Sequence, residues 1–309
     1  MTNILITGGA GYIGSVLIDQ LLRKKYNLTI FDSLLFGGEH LIHYVNNNRF
    51  KFVKGDVRDA VSLKSVVKDN DIIIHLAAIV GYPACSGNPK LAYDVNLSGT
   101  KNILSCKSKN QAIFFASTGS NYGSLDEICT EESPLNPLTT YAKTKTKAEK
   151  LVLNSNNFLA YRFATAFGSS SRMRIDLMIN DFVFKLLTQK YLVVYEKNFM
   201  RTFLHVKDIA RSIIHGIENF DKMKNNLYNV GDENLNFSKE EVCKLIHKRI
   251  SGFIYFSEIG KDLDKRNYKV SYQKIKKTGF KSKYNLDYGI DELVKSISLI
   301  DFKNKFTNN

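Results

Sequence analysis

Short apolar runs alternate with stretches whose apolar residues recur every three or four positions, and this alternation runs through the first half of the chain. Ile4 to Thr7 reads as a strand, Tyr12 to Lys24 as a helix, and Leu28 to Asp32 and Phe50 to Lys54 as strands; a helix begins at Val61, and Asp71 to Ala77 is a further strand. A helix from Leu91 to Ser108, a strand from Ala112 to Ser117, a helix from Thr140 to Leu153 and a strand from Phe158 to Phe163 continue the rhythm. Strands that are apolar at nearly every position are buried on both faces, and strand–helix–strand order makes neighbouring strands parallel. The pattern therefore predicts an α/β fold, a doubly wound parallel sheet with helices on both faces.

Beyond Gly168 the rhythm breaks. Residues 169–205 and 233–309 mix short strands, helices and loops, whereas 206–230 return to helix (Val206 to Asn219) and strand (Leu227 to Val230). We expect a cofactor domain of residues 1–168 plus 206–232 and a smaller, discontinuous C-terminal lobe of residues 169–205 plus 233–309, with Asn304 to Asn309 frayed at its end.

A length of 309 residues suffices for one large or two small domains with a substantial core. No apolar run approaches the roughly 18 residues that cross a bilayer, and the start, Met1 to Ile6, reads as a strand and not a leader. The cysteines Cys85, Cys106, Cys129 and Cys243 lack metal or disulfide spacing, so they read as reduced thiols of a cytoplasmic protein, with Cys85 a small buried hydrophobe. The net charge of +14 raises the question of a polyanionic partner. Its lysines are spread along the chain, densest from Lys261 to Lys283 among aromatics and acids, and no nucleic-acid motif accompanies them. A solvated surface is expected, with no nucleic-acid or membrane partner and no metal.

The chemistry concentrates in two motifs. Gly8, Gly11 and Gly14 form a GxxGxxG turn between a strand and a helix, flanked by Tyr12 and Ile13, where backbone can approach phosphate and the helix N-terminus can hold it. Asp32 ends the next strand about 20 residues on, where a carboxylate binds the adenosine ribose and repels a 2′-phosphate, which favours NAD over NADP. Asp56 and Val57 follow the third strand where adenine can be read, although such an Asp is also a common strand-end cap. Leu76, Ala77 and Ala78 leave room for a cofactor against backbone, and His75 reads as a core histidine. The second motif is Tyr141 and Lys145, one turn apart on a helix face. The ammonium there is expected to lower the phenol's pKa from about 10 and make it a general base. Thr118, at the carboxyl edge of the sheet, would hydrogen-bond the reacting oxygen.

With these motifs the chain resembles the extended short-chain dehydrogenase/reductases, specifically the NAD-dependent nucleotide-sugar epimerase/dehydratase group. The likeness rests on the glycine turn, His75 to Ala78, Asn96 within Val95 to Thr100, and Ser117 to Gly123. Glu132, Pro134 and Pro137 leading to Tyr141, then Tyr161 to Phe163, Phe167-Gly168 and Arg201 to Asp208 extend it over nearly the whole chain. The resemblance implies a Rossmann domain holding NAD, with Asn96, Ser117, Phe163 and Ala166 among its contacts and the loop from Phe163 to Ala166 beside the nicotinamide. Lys145 would hold the nicotinamide ribose. The C-terminal lobe would grip a nucleoside-diphosphate sugar, with Arg201 and Arg266 on its pyrophosphate, since guanidinium forks pair with phosphate oxygens, and with Asn180 on the sugar or its phosphate. It also implies a homodimer packed through the helix carrying Tyr141 and the long helix before it.

Departures from the family pattern narrow the reaction. Sugar 4,6-dehydratases of this family carry acidic residues just after the catalytic Thr, and epimerase-reductases of the fucose-synthesis type carry a Cys second after it. Here Gly119 and Ser120 stand in those positions. What remains is redox at one carbon, most simply C4, in a C4 epimerase or C4 dehydrogenase. A 4,6-dehydratase, a 4-ketoreductase and a non-catalytic NAD-binding protein are the alternatives. Arg172 to Val183 and Arg201 to Asn229 are locally similar to a subgroup that oxidises C4 of GDP-heptose, which points to surface-polysaccharide sugar supply.

Overall fold

The computed structural model describes residues 2–259 and 266–300. The parallel sheet is built from β1 (Asn3–Thr7), β2 (Asn27–Asp32), β3 (Phe50–Lys54), β4 (Ile72–His75) and β5 (Ala112–Thr118), to which β7 (Phe158–Phe163) and β11 (Asn226–Val230) are added later in the chain. Between and after these lie β6 (Ser124–Cys129), β8 (Thr165–Phe167), β9 (Tyr191–Tyr195) and β10 (Met200–His205), then β12 (Asn236–Ser238), β13 (Phe253–Ser257) and β14 (Asn267–Val270). The large sheet has the order β11-β7-β5-β4-β1-β2-β3, all parallel. Because the chain winds outward in both directions from β1, the carboxyl ends of β1 and β4 diverge into a crevice, the place where such sheets bind ligands.

Alternation along each strand assigns its side chains to two cores. Ile4 and Ile6 face one side with Ile30, Ile74 and Phe114, where α1 (Tyr12–Arg23) and, later, the helix 206–218 pack. Leu5 faces the other side with Phe31, Ile73 and Phe115, covered by α2 (Ala60–Val67) and by helices farther along the chain. Helix α2 starts where Asp59 accepts the amides of Val61 and Ser62.

The expected helix from Leu91 to Ser108 is three pieces, preceded by the short α3 (Tyr82–Gly87). Helix α4 (Pro89–Tyr93) starts two residues early because Asn88 caps it at the Leu91 amide; a π-helical turn at 94–98 follows, then α5 (Gly99–Cys106). The π turn falls where Asn96 is tied to another segment. Its amide accepts the Ile79 N–H (2.8 Å) and donates to the Ile79 carbonyl and to Thr144 Oγ1. Such tertiary bonds favour an extra residue in the turn and leave no trace in apolar periodicity.

Helix α6 (Thr140–Leu153) carries Tyr141 and Lys145 and is capped by Thr139 at the Ala142 amide. The remaining helices are α7 (Met178–Thr188), α8 (Val206–Glu218), α9 (Phe220–Met223), α10 (Lys239–His247), α11 (Gln273–Lys276) and α12 (Leu286–Ile297). A third apolar cluster gathers Phe167, Val183, Phe203, Val242, Ile246 and Ile290 from α7, α10, α12 and the short strands. The expected fraying of Asn304 to Asn309 lies outside the described residues.

Candidate active site

A cavity of about 830 Å³ opens at the carboxyl edge of the sheet, near the upper end of the roughly 300–1,000 Å³ range of ligand pockets. Gly8, Gly11, Tyr12, Ile13 and Gly14 form its floor at one end. Gly8 has φ +73°, and a Cβ there would lie 2.5 Å from the Ala77 nitrogen; at Gly14 it would lie 2.4 Å from the Gly9 carbonyl oxygen. Glycine is needed at both, the first for the turn and the second for close packing. Among the described residues no side chain caps the N-terminus of α1 at Gly11, which leaves its first-turn amides to an anion. This cradle fits the pyrophosphate of a dinucleotide.

Asp32 lines the same end, with one carboxylate oxygen accepting the Ala10 amide (3.0 Å) and the other the Leu34 amide (2.9 Å). Burial raises its pKa, with the two amides pulling the other way. Each oxygen keeps a lone pair for a ribose hydroxyl. Asp56 and Val57 also face the cavity, but the Asp56 carboxylate is already paired with the Arg58 guanidinium (2.7 Å), which holds its pKa below the usual range. Leu76, Ala77 and Ala78 line the wall, as do Ser117, Phe163 and Ala166. His75 is spent on structure, its two ring nitrogens bonded to Thr7 Oγ1 (2.8 Å) and Thr100 Oγ1 (3.0 Å).

Thr118, Tyr141 and Lys145 all line this cavity. Thr118 Oγ1 accepts the Ser120 amide and donates to Ser120 Oγ, which also accepts from Arg266. Burial pushes the Tyr141 phenol up to about 12, and the groups pulling it down are a hydrogen bond with Thr118 and the charges of Arg174 and Arg266. Lys145 is itself buried, with Nζ 4.1 Å from the centre of the Phe115 ring. Burial brings its pKa down to about 7 against the opposing pull of Glu149.

Below Lys145 the helix is anchored by Glu149, one turn on. Its carboxylate accepts from Arg162 Nη2 (2.7 Å), Arg162 Nε (3.1 Å), Ser117 Oγ (2.6 Å) and Asn121 Nδ2 (3.1 Å), and the pair is almost fully buried. This network ties α6 to β5 and β7.

Two expected ligand contacts fall elsewhere. Asn96 is fully buried outside the cavity lining and holds Ile79 against α6, as described above. Asn180 is likewise buried, accepting the Gly168 amide (3.1 Å) and donating to the Arg174 carbonyl (2.8 Å). Both asparagines bond buried backbone groups and hold the loops beside the site. Arg201 and Arg266 do line the cavity. Arg201 is buried and donates to the Met200 carbonyl, while Arg266 reaches Ser120 beside Thr118.

Sequence reasoning passed over Arg172, Arg174 and Asp176, all of which line the cavity. Their signal was the alternating charge of Arg172-Met173-Arg174-Ile175-Asp176 in a segment otherwise destined for burial. Cys85, by contrast, is off the lining, its thiol donating to the Ile79 carbonyl and pushed up to about 12 by burial.

A sequence profile of the NAD dependent epimerase/dehydratase family matches residues 4–231. A putative UDP-glucose 4-epimerase of Methanocaldococcus jannaschii is 29% identical over 306 residues, 94% of this chain and 97% of that protein. The low-salt glycan biosynthesis protein Agl12 of Haloferax volcanii is 27% identical, again over 94% and 97% of the two chains. Among solved structures, a dTDP-glucose 4,6-dehydratase of Bacillus anthracis in complex with NAD superposes with a TM-score of 0.84 at 25% identity, covering 99% of each chain. With the dinucleotide cradle and the Thr118, Tyr141 and Lys145 cluster opening into one cavity, the chain belongs to the NAD-dependent epimerase/dehydratase family of nucleotide-sugar enzymes.

Proposed function

We propose that the protein is a C4 epimerase or C4 dehydrogenase that oxidises C4 of a nucleoside-diphosphate sugar to a 4-keto species. Bound NAD would supply the hydride acceptor, and in an epimerase the same hydride would go back to the opposite face of the ketone. Tyr141 Oη takes the proton of the C4 hydroxyl as the C4 hydride leaves, and Thr118 Oγ1 holds that hydroxyl's oxygen. Lys145 holds the nicotinamide ribose. The glycine cradle, Asp32, Asp56, Val57 and the wall from Leu76 to Ala78 bind the cofactor, with Ser117, Phe163 and Ala166 at its reactive end. Arg201 and Arg266 bind the substrate pyrophosphate.

The observation that carries this reading is the neighbourhood of Thr118. Gly119 and Ser120 flank it with no carboxyl, and Ser120 Oγ is already engaged by Thr118 and Arg266. Elimination of water across C5 and C6 needs an acid and a base, and among the described residues the two positions after Thr118 supply neither. We also infer cytoplasmic sugar supply for a surface polysaccharide, and a homodimer packed through α5 and α6. Among the described residues no helix is long and apolar enough to cross a membrane.

The test is to incubate the enzyme in deuterated buffer with UDP-, GDP- and CDP-sugars and weigh the products. An isomer of unchanged mass with no carbon-bound deuterium supports the epimerase, and a product two mass units lighter with equimolar NADH supports the dehydrogenase. Loss of water would reject the reading, as would binding without turnover.

A further inference from the structure

Arg174 and Asp176 form a side-on ion pair in the cavity wall, Nη2 to Oδ2 at 2.5 Å and Nε to Oδ1 at 3.1 Å, with side chains only 8% and 12% exposed. The pair sits on the strap that links β8 to α7, and the buried Asn180 fixes that strap by holding the Arg174 carbonyl. It faces the reacting end of the cavity. Arg174 Nη2 lies 3.5 Å from where a Cβ on Gly81 would be, and Gly81, Tyr82 and Pro83 line the wall there. The Arg174 charge also reaches the Tyr141 phenol.

A buried ion pair adds little to stability, because desolvation offsets its attraction and an apolar pair of similar size does as well. Its place on a cavity wall calls for another reason. Two of the guanidinium nitrogens are committed to Asp176, and among the described residues no group takes the Nη1 hydrogens. The carboxylate has lone pairs to spare beyond the two bonds it accepts. Donor and acceptor capacity thus stand side by side, and the pair carries no net charge. A hydroxyl, which both donates and accepts, satisfies both at once. A carboxylate can only accept, and it meets Asp176 as a like charge.

Resting on the nucleotide-sugar reading above, we propose that the Arg174–Asp176 pair reads the sugar beyond its reacting carbon and selects an uncharged polyol over a sugar acid. Replacing Asp176 by Asn keeps the shape, removes the like charge and leaves Arg174 free to pair with a carboxylate.

The experiment compares UDP-glucose with UDP-glucuronate by isothermal titration against the NAD-loaded protein, with UDP alone measuring the integrity of the nucleotide end. The wild type should bind UDP-glucose about tenfold or more tighter than UDP-glucuronate, and Asp176→Asn should reduce that ratio about tenfold or invert it, with UDP affinity unchanged. An unaltered ratio in Asp176→Asn, or a wild-type preference for the acid, overturns the proposal. Should Asp176→Asn lose UDP as well, Arg174→Gln carries the test: UDP-glucose must weaken about tenfold relative to UDP, and an unchanged value overturns the proposal. A wild type that binds UDP but shows the wrong sugar preference rejects only this inference. One that binds neither UDP nor any sugar nucleotide removes the nucleotide-sugar reading and this inference with it.

Discussion

At the residue scale the proposed chemistry turns on one buried phenol. Burial holds Tyr141 up at about 12, so at neutral pH the protein alone keeps it protonated, and positive charge in the cavity is what draws it toward the phenolate. Arg174 and Arg266 already act in that direction. Removing the hydroxyl removes the proton acceptor and little else, so Tyr141→Phe should keep UDP and NAD binding while kcat falls about 10²- to 10⁴-fold. Steady-state rates beside titrations of both ligands check this, and wild-type turnover in the variant would contradict the assigned role. The placement of the glycine turn and of Tyr141 and Lys145 on one cavity was legible because each is a short local motif that depends on residue type and spacing. That Asn96 and Asn180 lie off the cavity lining was not legible, because a polar side chain in a motif looks alike whether it meets a ligand or a buried carbonyl. The burial that raises the Tyr141 pKa and lowers that of Lys145 was not legible, since spacing shows that two groups are close but not how dry they are.

At the scale of elements, two polar clasps hold the site together. The first is Glu149 with Arg162, joining α6 to β7 beneath Lys145. Glu149→Gln leaves the Arg162 guanidinium buried without its counter-charge, and urea unfolding at pH 7 should show a loss of about 3–5 kcal/mol. The second ties α12 to the end of β10 and the start of α8: Glu292 accepts from His205 Nε2 (3.0 Å), from Lys207 Nζ and from the Ser169 amide (2.9 Å). Burial acts to raise the Glu292 carboxyl, but these bonds overcome it and hold it at about 2. The folded protein therefore releases this proton more readily than the unfolded chain. The clasp contributes fully above about pH 4.5 and its contribution disappears as pH falls toward 2. The wild type should lose about 3 kcal/mol more than Glu292→Gln over that interval, measured by urea midpoints at successive pH values. The helices and strands of the sheet were legible because burial on one or two faces writes a period into the sequence. The π turn at 94–98 and the pairing of β6 with β14 were not, because each depends on partners distant in sequence.

For the whole molecule, the net charge of +14 matters most where copies would meet. The outer face of α6 exposes Lys143, Lys147 and Lys150, and Lys101 is exposed on α5. A symmetric dimer through these helices brings like charges together, and salt screens that repulsion over about 10 Å at 0.1 M. Sedimentation velocity should show the proposed homodimer strengthening as ionic strength rises, and weakening with added salt would argue for a different face. The parallel sheet was legible from the alternation of strand and helix. The way the strap at 169–177 closes one wall of the cavity was not, because it belongs to the region where that alternation stops.

The central claim is hydride transfer at C4, and the most direct measurement uses a nucleotide sugar that turns over, deuterated at C4. After a single turnover the account predicts the label either at C4 of the inverted sugar or on the reduced cofactor, with none in water. Deuterium released to solvent, or found at C6 of a dehydrated product, would contradict it.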